Sequence, residues 1–429
     1  MSRILACVAV ALCLLAGARA PAAQGVGKNE HWVGTWATAV VARPPQAQAP
    51  PGQTPDQASA LNFNNQTLRQ IVHVSLGGDA VRVVLSNAFG TAPLSIGAAR
   101  LALRDKGAAI VSKSDRVLTF GASPVTTIPA GAVVFSDPVS LTIPPLADLA
   151  IDLYLPGDTA AAKSSLTTHA GALQTNYVSL PGNHAGALEM PVLRTTGNWF
   201  FLARVEVTTP AQAGAIVALG DSITDGTRST PDTNNRWPDH LARRLAAQNV
   251  RMGVLNVGIG GNQMLSDYSP GASALARLDR DVLAQTGATY VILMEGINDI
   301  RRWHDVGRAA PPTASDLIFG HGQVIARAHA RGLTIYGATL TPCDGNSFCT
   351  PEMEATRQAL NAWIRTGRVY DGVIDFDAVV RDQDQLAKLQ PRYDSGDHIH
   401  PNDAGYLAMA NGIDLELFKA SQARAVTTP

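Results

Sequence analysis

Charge and aromatic residues are scarce in this 429-residue chain, at 16% and 6%. The 34 basic and 35 acidic residues nearly cancel, leaving a formal net charge of -1. The basic residues are scattered, so the chain lacks the basic footprint of a nucleic-acid binder and the polybasic patch of a membrane-surface protein. Beyond the N-terminus no apolar run approaches the roughly 20 residues of a spanning helix, so no stable membrane anchor is expected. Cysteine is nearly absent, with four in all. Hydrophobic residues, by contrast, make up 46% of the chain, ample for packed cores, which excludes bulk disorder. At about 100–200 residues per domain, the length predicts two or three domains.

The first 23 residues read as an address. Arg3 precedes the unbroken apolar run Ile4–Leu15, too short to span a bilayer, and Ala20-Pro21-Ala22 fits a small-x-small cleavage site. Met1–Ala23 is therefore expected to be a signal peptide, and the mature protein secreted or periplasmic. Cys13 sits inside the apolar run rather than at its polar end, which argues against a lipoprotein. Cleavage removes Cys7 and Cys13 and leaves Cys343 and Cys349. In an oxidising compartment two nearby cysteines form a disulfide, and two thiols alone do not complete a metal tetrahedron. Closing so short a loop contributes about 2 kcal/mol on the chain-entropy view.

The remainder divides into two regions of different periodicity. Residues 24–210 read as short strands, among them Leu68–Leu76, Ala80–Leu85, Val117–Phe120, Ala132–Phe135, Leu149–Leu155 and Phe200–Val207. Turn signals such as Gly77-Gly78 separate them, and together they predict a β-sandwich-like domain. Ala42–Asn65, rich in Pro and Gln, reads as a loop. Residues 211–429 alternate strand and helix. Apolar runs at Ile216–Leu219, Val254–Val257, Tyr290–Met294, Leu333–Leu340 and Val373–Phe376 are separated by helical patterns, including Trp237–Ala247, Ala272–Ala284 and Pro351–Arg365. Apolar strands between helices predict an α/β domain with a parallel sheet covered on both faces. Its sites are expected at the carboxyl ends of the strands.

Four segments near those ends carry chemistry. Gly220-Asp221-Ser222 follows the first strand, where a serine hydroxyl is exposed over the sheet edge or caps a helix. Asn256-Val257-Gly258-Ile259-Gly260-Gly261 follows the second, and its glycines bring backbone N–H groups close to a ligand or form a tight turn. Gly296-Ile297-Asn298-Asp299 follows the third; an Asn amide donates to an oxyanion or turns the chain. Asp397-His398-Ile399-His400 places a carboxylate three residues before an imidazole, the pairing that makes His a general base toward serine. His398 competes with His400 for that role. Two His beside Asp also fit part of a metal site, but no third and fourth ligand lies at typical spacing.

In this order the four blocks resemble the GDSL/SGNH hydrolase superfamily, over about Ala215 to Phe418. The whole-chain layout resembles a secreted two-domain subgroup of lipase/acylhydrolase or xylan-esterase-like proteins, in which a β-rich region beginning near a motif like Gly34-Thr35-Trp36 precedes the hydrolase. The resemblance implies a flavodoxin-like α/β/α fold and serine esterase chemistry without metal or organic cofactor. Residue by residue, it makes Ser222 the nucleophile, His400 the general base and Asp397 its orienting acid. The oxyanion donors it implies are the Ser222 N–H, the Gly261 N–H and the Asn298 amide, with Gly260 leaving a one-residue ambiguity.

The expected partner is an acylated carbohydrate or a small ester. Without an apolar lid in the sequence, short acyl groups, acetyl first, are favoured on a carbohydrate. A lipase-like acylhydrolase on longer esters, a non-catalytic glycan-binding protein and a phosphoesterase are the alternatives. Trp32, Trp36 and Trp199 fit either a sugar-stacking platform or core positions. Arg301, Arg302, Trp303 and His304 follow Asn298 closely enough to line a pocket. The sequence sets no oligomeric state.

Overall fold

The computed structural model describes residues 31–43, 62–267 and 271–419. The expected signal peptide lies outside them, as does most of the expected Pro- and Gln-rich loop; Ala42 and Arg43 belong to the strand Val41–Arg43.

Between His31 and Thr209 the described residues form antiparallel strands. One sheet sets His31–Ala37, Leu202–Thr209, Gly78–Ser86 and Val139–Ile143 side by side, with Val133–Phe135 also paired to Gly78–Ser86. A six-stranded sheet is centred on Gln66–His73 and Asp148–Leu155. These two strands are buried along almost their whole length, which is why they read as apolar runs rather than as alternation. Their interior still holds charge. Arg69 and Asp152 are cross-strand partners, joined by two 2.7 Å hydrogen bonds, and neither meets solvent appreciably. Three-residue strands at Leu94–Ile96 and Thr126–Ile128 pair with each other. They escaped the sequence reading because three residues carry no period.

The second region is a parallel sheet of five strands: β1 (Gly214–Gly220), β2 (Met252–Gly258), β3 (Ala288–Met294), β4 (Thr334–Ala338) and β5 (Gly372–Ile374). Their spatial order is β2-β1-β3-β4-β5, every pair parallel. This is the flavodoxin-like doubly wound order, in which chain direction across the sheet reverses beside β1. The expected fold class is therefore the one found. The helices are α1 (Ser222–Asp225), α2 (Trp237–Ala247), α3 (Ala274–Leu278), α4 (Ile297–Arg301), α5 (Ala314–His329), α6 (Pro351–Thr366), α7 (Phe376–Val380) and α8 (Asp403–Asn411). The helix expected over Ala272–Ala284 is split: α3 passes at Asp279 into a π-helical turn that ends at Leu283.

A single apolar cluster runs through both regions, from Val33 to Phe418. The strand His31–Ala37 lies against β2, and the Gly34 N–H donates to the Thr286 carbonyl at 2.9 Å. Val254 N–H donates to the Ser75 hydroxyl at 2.8 Å. The antiparallel region thus packs against the parallel sheet at the β2 edge.

Candidate active site

Ser222 is the first residue of α1, directly beyond the end of β1. Asp221 caps this single turn by accepting from the Ile223 N–H at 2.9 Å. Gly226, at φ 95°, ends it. A strand running into one short turn puts the Ser222 N–H in the first turn, where helix N–H groups have no intrahelical acceptor.

The chain at the end of β2 fits closely against α1. A Cβ on Gly258 would lie 2.4 Å from the Asp225 nitrogen, so only glycine is accommodated there. Gly261 takes φ 77°, a left-handed conformation that glycine adopts without penalty; Gly260 does not. Beyond them, the Asn262 carbonyl accepts from the Asn298 side-chain amide at 3.0 Å. Asn298 stands on α4 at the end of β3. Its neighbour Asp299 accepts from the Met264 and Leu265 N–H groups at 2.6 and 2.9 Å. The second and third blocks are thus tied together by side chains of the third.

The fourth block comes from the loop before α8. His400 Nε2 is 2.9 Å from Ser222 Oγ, and His400 Nδ1 is 2.8 Å from Asp397 Oδ2. The other oxygen of Asp397 accepts from the Ile399 and His400 N–H groups at 3.1 and 2.9 Å. Arg228 donates to Asp397 Oδ2 at 3.1 Å. His398 turns away, half-exposed, and pairs with Asp394.

The electrostatics follow the contacts. Burial pulls the His400 imidazole below its ordinary value; the hydrogen bond and charge of Asp397 oppose this, and the Arg301 and Arg228 charges add to it. Partial burial raises Asp397, but the His400 backbone and ring N–H groups, the imidazole charge and the Ile399 N–H outweigh it and hold this carboxyl well below the usual carboxylate range.

Next to Ser222 lies a buried group of ionisable side chains, of which the motifs contained Asp221 and Asp299 but not Glu295 or Arg277. Burial pushes Asp221 up to about 7 and Asp299 to about 6, and drives Glu295 well above the carboxylate range. Arg277, fully buried, is the cation among them, 4.0 Å from Glu295. It donates to the Gly220, Val257 and Asn262 oxygens at 3.0, 2.6 and 2.8 Å, and so ties the ends of β1 and β2 to the loop that follows. In the sequence it is one of two arginines in the helical stretch Ala272–Ala284, which also carries Asp279 and Asp281, and nothing there sets it apart.

Other expectations resolve as follows. Cys343 and Cys349 form a disulfide, with Cα atoms 6.0 Å apart. Trp32, Trp36 and Trp199 are all buried, so they are core residues and offer no sugar platform. Arg301 is buried beside Asn298, whereas Arg302, Trp303 and His304 lie in the partly exposed turn beyond it. Among the described residues no group of three or more His, Cys, Asp or Glu is arranged to hold a metal ion. No helix among them is long and apolar enough to cross a membrane.

Residues 218–408 match the GDSL-like Lipase/Acylhydrolase family. Solved structures similar to the chain include a GDSL-like lipase from Bacteroides thetaiotaomicron. It is 19% identical, over 49% of this chain and 88% of that one, with a TM-score of 0.34. A variant of an acetyl xylan esterase from Geobacillus stearothermophilus is 21% identical, over 49% and 96%, with a TM-score of 0.38. An α/β hydrolase enzyme from the metagenome of Lake Arreo, Spain, is 21% identical, over 49% and 95%, with a TM-score of 0.37. No curated protein matches the chain.

Proposed function

We propose that the protein is a secreted or periplasmic serine esterase, a reading supported by the match of residues 218–408 to the GDSL-like lipase/acylhydrolase family. Its proposed substrates carry short acyl groups, acetyl first, on a carbohydrate or other small alcohol. The observation that carries this reading is the unbroken hydrogen-bonded line Ser222–His400–Asp397, at 2.9 and 2.8 Å. The Cys343–Cys349 disulfide accords with an oxidising compartment. The division into a β-rich domain to residue 210 and a hydrolase domain from 211 belongs to the same proposal.

The chemistry follows from the groups in place. A serine hydroxyl is a weak nucleophile at neutral pH and needs a base to take its proton. His400 Nε2 accepts that proton as Ser222 Oγ attacks the ester carbonyl. Asp397 fixes the proton on Nδ1, so that Nε2 is the free base, and stabilises the imidazolium that forms. Burial, by pulling His400 below its ordinary value, favours the neutral imidazole that a base must be. The carbonyl oxygen becomes an oxyanion facing the Ser222 N–H, the Gly261 N–H and the Asn298 amide. Imidazolium returns its proton to the leaving alcohol as the C–O bond breaks, leaving an acyl-Ser222. Water, deprotonated by His400, attacks this ester; the acid departs and Ser222 Oγ recovers its proton. Losing one oxyanion donor in such sites costs about 10²–10³ in kcat.

The test is acid release from acetylated xylan, other acetylated glycans and p-nitrophenyl esters of rising chain length, with Ser222→Ala run beside the wild type. Serine-dependent acetate release from a glycan supports the full reading. Preference for long acyl chains replaces its substrate with a lipid-like one. Equal activity in both proteins, or none in either, overturns the triad.

A further inference from the structure

We propose that Arg301 is a positioning residue for the Asn298 amide, held in place by Asn346 on the disulfide-closed loop. This rests on the esterase reading above.

An Asn side chain can lie in its pocket in two orientations, and only one aims its NH2 group at an oxyanion. Asn298 Nδ2 donates to the Asn262 carbonyl, in the loop that carries Gly260 and Gly261. Its Oδ1 receives Arg301 Nη1 at 3.4 Å, a long contact whose value is directional. Rotated by half a turn, the amide would set oxygen against the Asn262 carbonyl and NH2 against the guanidinium. Arg301 therefore penalises the wrong orientation.

Arg301 is an unusual residue to find there. It ends α4, is only 8% exposed, and among the described residues no carboxylate lies within ion-pair distance. A buried guanidinium without a contact anion is costly and needs other support. The support is Asn346, whose Oδ1 accepts from Arg301 Nη2 at 2.9 Å. Asn346 sits in the middle of the Cys343–Cys349 loop. Its N–H donates to the Cys343 carbonyl at 3.1 Å, and its own carbonyl accepts from the Cys349 N–H at 2.9 Å. The same side chain donates to the Asp397 carbonyl at 2.8 Å. The Phe348 ring covers the Arg301 guanidinium at 5.3 Å. One short loop thus connects Asn298, through Arg301, to the segment that carries Asp397 and His400.

Steady-state kinetics on p-nitrophenyl acetate test this in wild type, Arg301→Gln, Arg301→Lys, Asn298→Ala, Asn346→Ala and the Asn298→Ala/Arg301→Gln double variant. Arg301→Gln is expected to lower kcat about tenfold or more, with KM within about threefold. In the Asn298→Ala background the same change should cost less than about twofold, because the amide it positions is gone. Asn346→Ala should lower kcat about threefold or more in the same way. The pH profile supplies a second readout. The charges acting on His400 are Asp397 from its own loop, Arg228 beyond α1 and Arg301 from α4. Arg301→Gln removes a cation, so the acidic limb of kcat/KM should move to higher pH, while Arg301→Lys should leave it in place. An equal loss in both backgrounds overturns the proposal, and a moved limb in Arg301→Gln shows that the side chain lies at the site with its charge directed toward His400. Wild-type kcat in Asn346→Ala overturns the role of the loop. Ser222→Ala in the same assay separates the two readings: inactivity keeps the esterase reading whatever Arg301 does, and surviving activity overturns both. Arg301→Lys provides the kcat arm if Arg301→Gln fails to fold.

Discussion

Replacing Asp397 with Asn is the perturbation whose outcome the geometry constrains most tightly. The Oδ1 atom that receives the Ile399 and His400 N–H groups survives in an Asn, so the loop keeps two of its hydrogen bonds. The position of Oδ2, 2.8 Å from His400 Nδ1, then holds an NH2 donor. A donor there requires Nδ1 to accept, which moves the ring proton to Nε2, the nitrogen 2.9 Å from Ser222 Oγ. The imidazole then has no free electron pair for the serine proton. In serine hydrolases generally, this tautomer error lowers kcat about 10⁴-fold, or about 5.5 kcal/mol of barrier. The pH profile should respond as well. The Asp397 charge opposes the downward pull of burial on His400, so its loss should move the acidic limb to still lower pH. The assay is kcat and the pH profile of kcat/KM on p-nitrophenyl acetate, with a thermal melt to show the fold retained. A loss of less than about tenfold, with the fold intact, would refute the assignment of Asp397 as the orienting acid.

Further outcomes follow from other contacts. His398→Ala should keep kcat within about threefold, since His398 pairs with Asp394 and not with Ser222; a loss as large as that of His400→Ala would exchange their roles. Arg69→Met should destabilise by about 3–5 kcal/mol in urea unfolding, because it leaves the buried Asp152 without its cation; a change below about 1 kcal/mol would contradict the ion-pair reading. His169, buried 3.0 Å from Asp225, is pulled down by burial, but the Asp225 charge and hydrogen bond and the Ala39 carbonyl raise it above its ordinary value. Its folded value then exceeds the unfolded one, so the stabilisation is fully present below about pH 6.5 and lost as pH rises through the folded value. The stability gap between wild type and His169→Gln, read by urea unfolding, should therefore narrow with rising pH; a widening gap would contradict the assignment.

The parts visible in the sequence share a physical cause. Strands β1, β2 and β3 are covered on both faces, so they appear as short apolar runs, and the chemistry-bearing residues stand where those runs stop. Helix α2 was read with its true ends because Pro238 sits in its first turn and its apolar stripe is regular. The break at Asp279 was not visible, because a shift from α to π hydrogen bonding leaves no mark on residue type. Nor were the contacts that brace the candidate site. Asn346 lies 45 residues from Arg301 and 51 from Asp397. His169 lies 56 from Asp225. No local pattern encodes such pairs; they exist only once the sheet brings its strand ends together. The surroundings of the Trp residues were equally undecided, since the same Trp serves a core or a binding face.

The central claim is that Ser222 is a nucleophile activated by His400. A fluorophosphonate probe tests it directly, since an activated serine displaces fluoride and keeps the phosphonyl group. Intact mass and peptide mapping should find one adduct per chain, on Ser222, with none on Ser222→Ala and greatly slowed labelling of His400→Ala. An adduct on another residue, or undiminished labelling of Ser222→Ala, would contradict the claim.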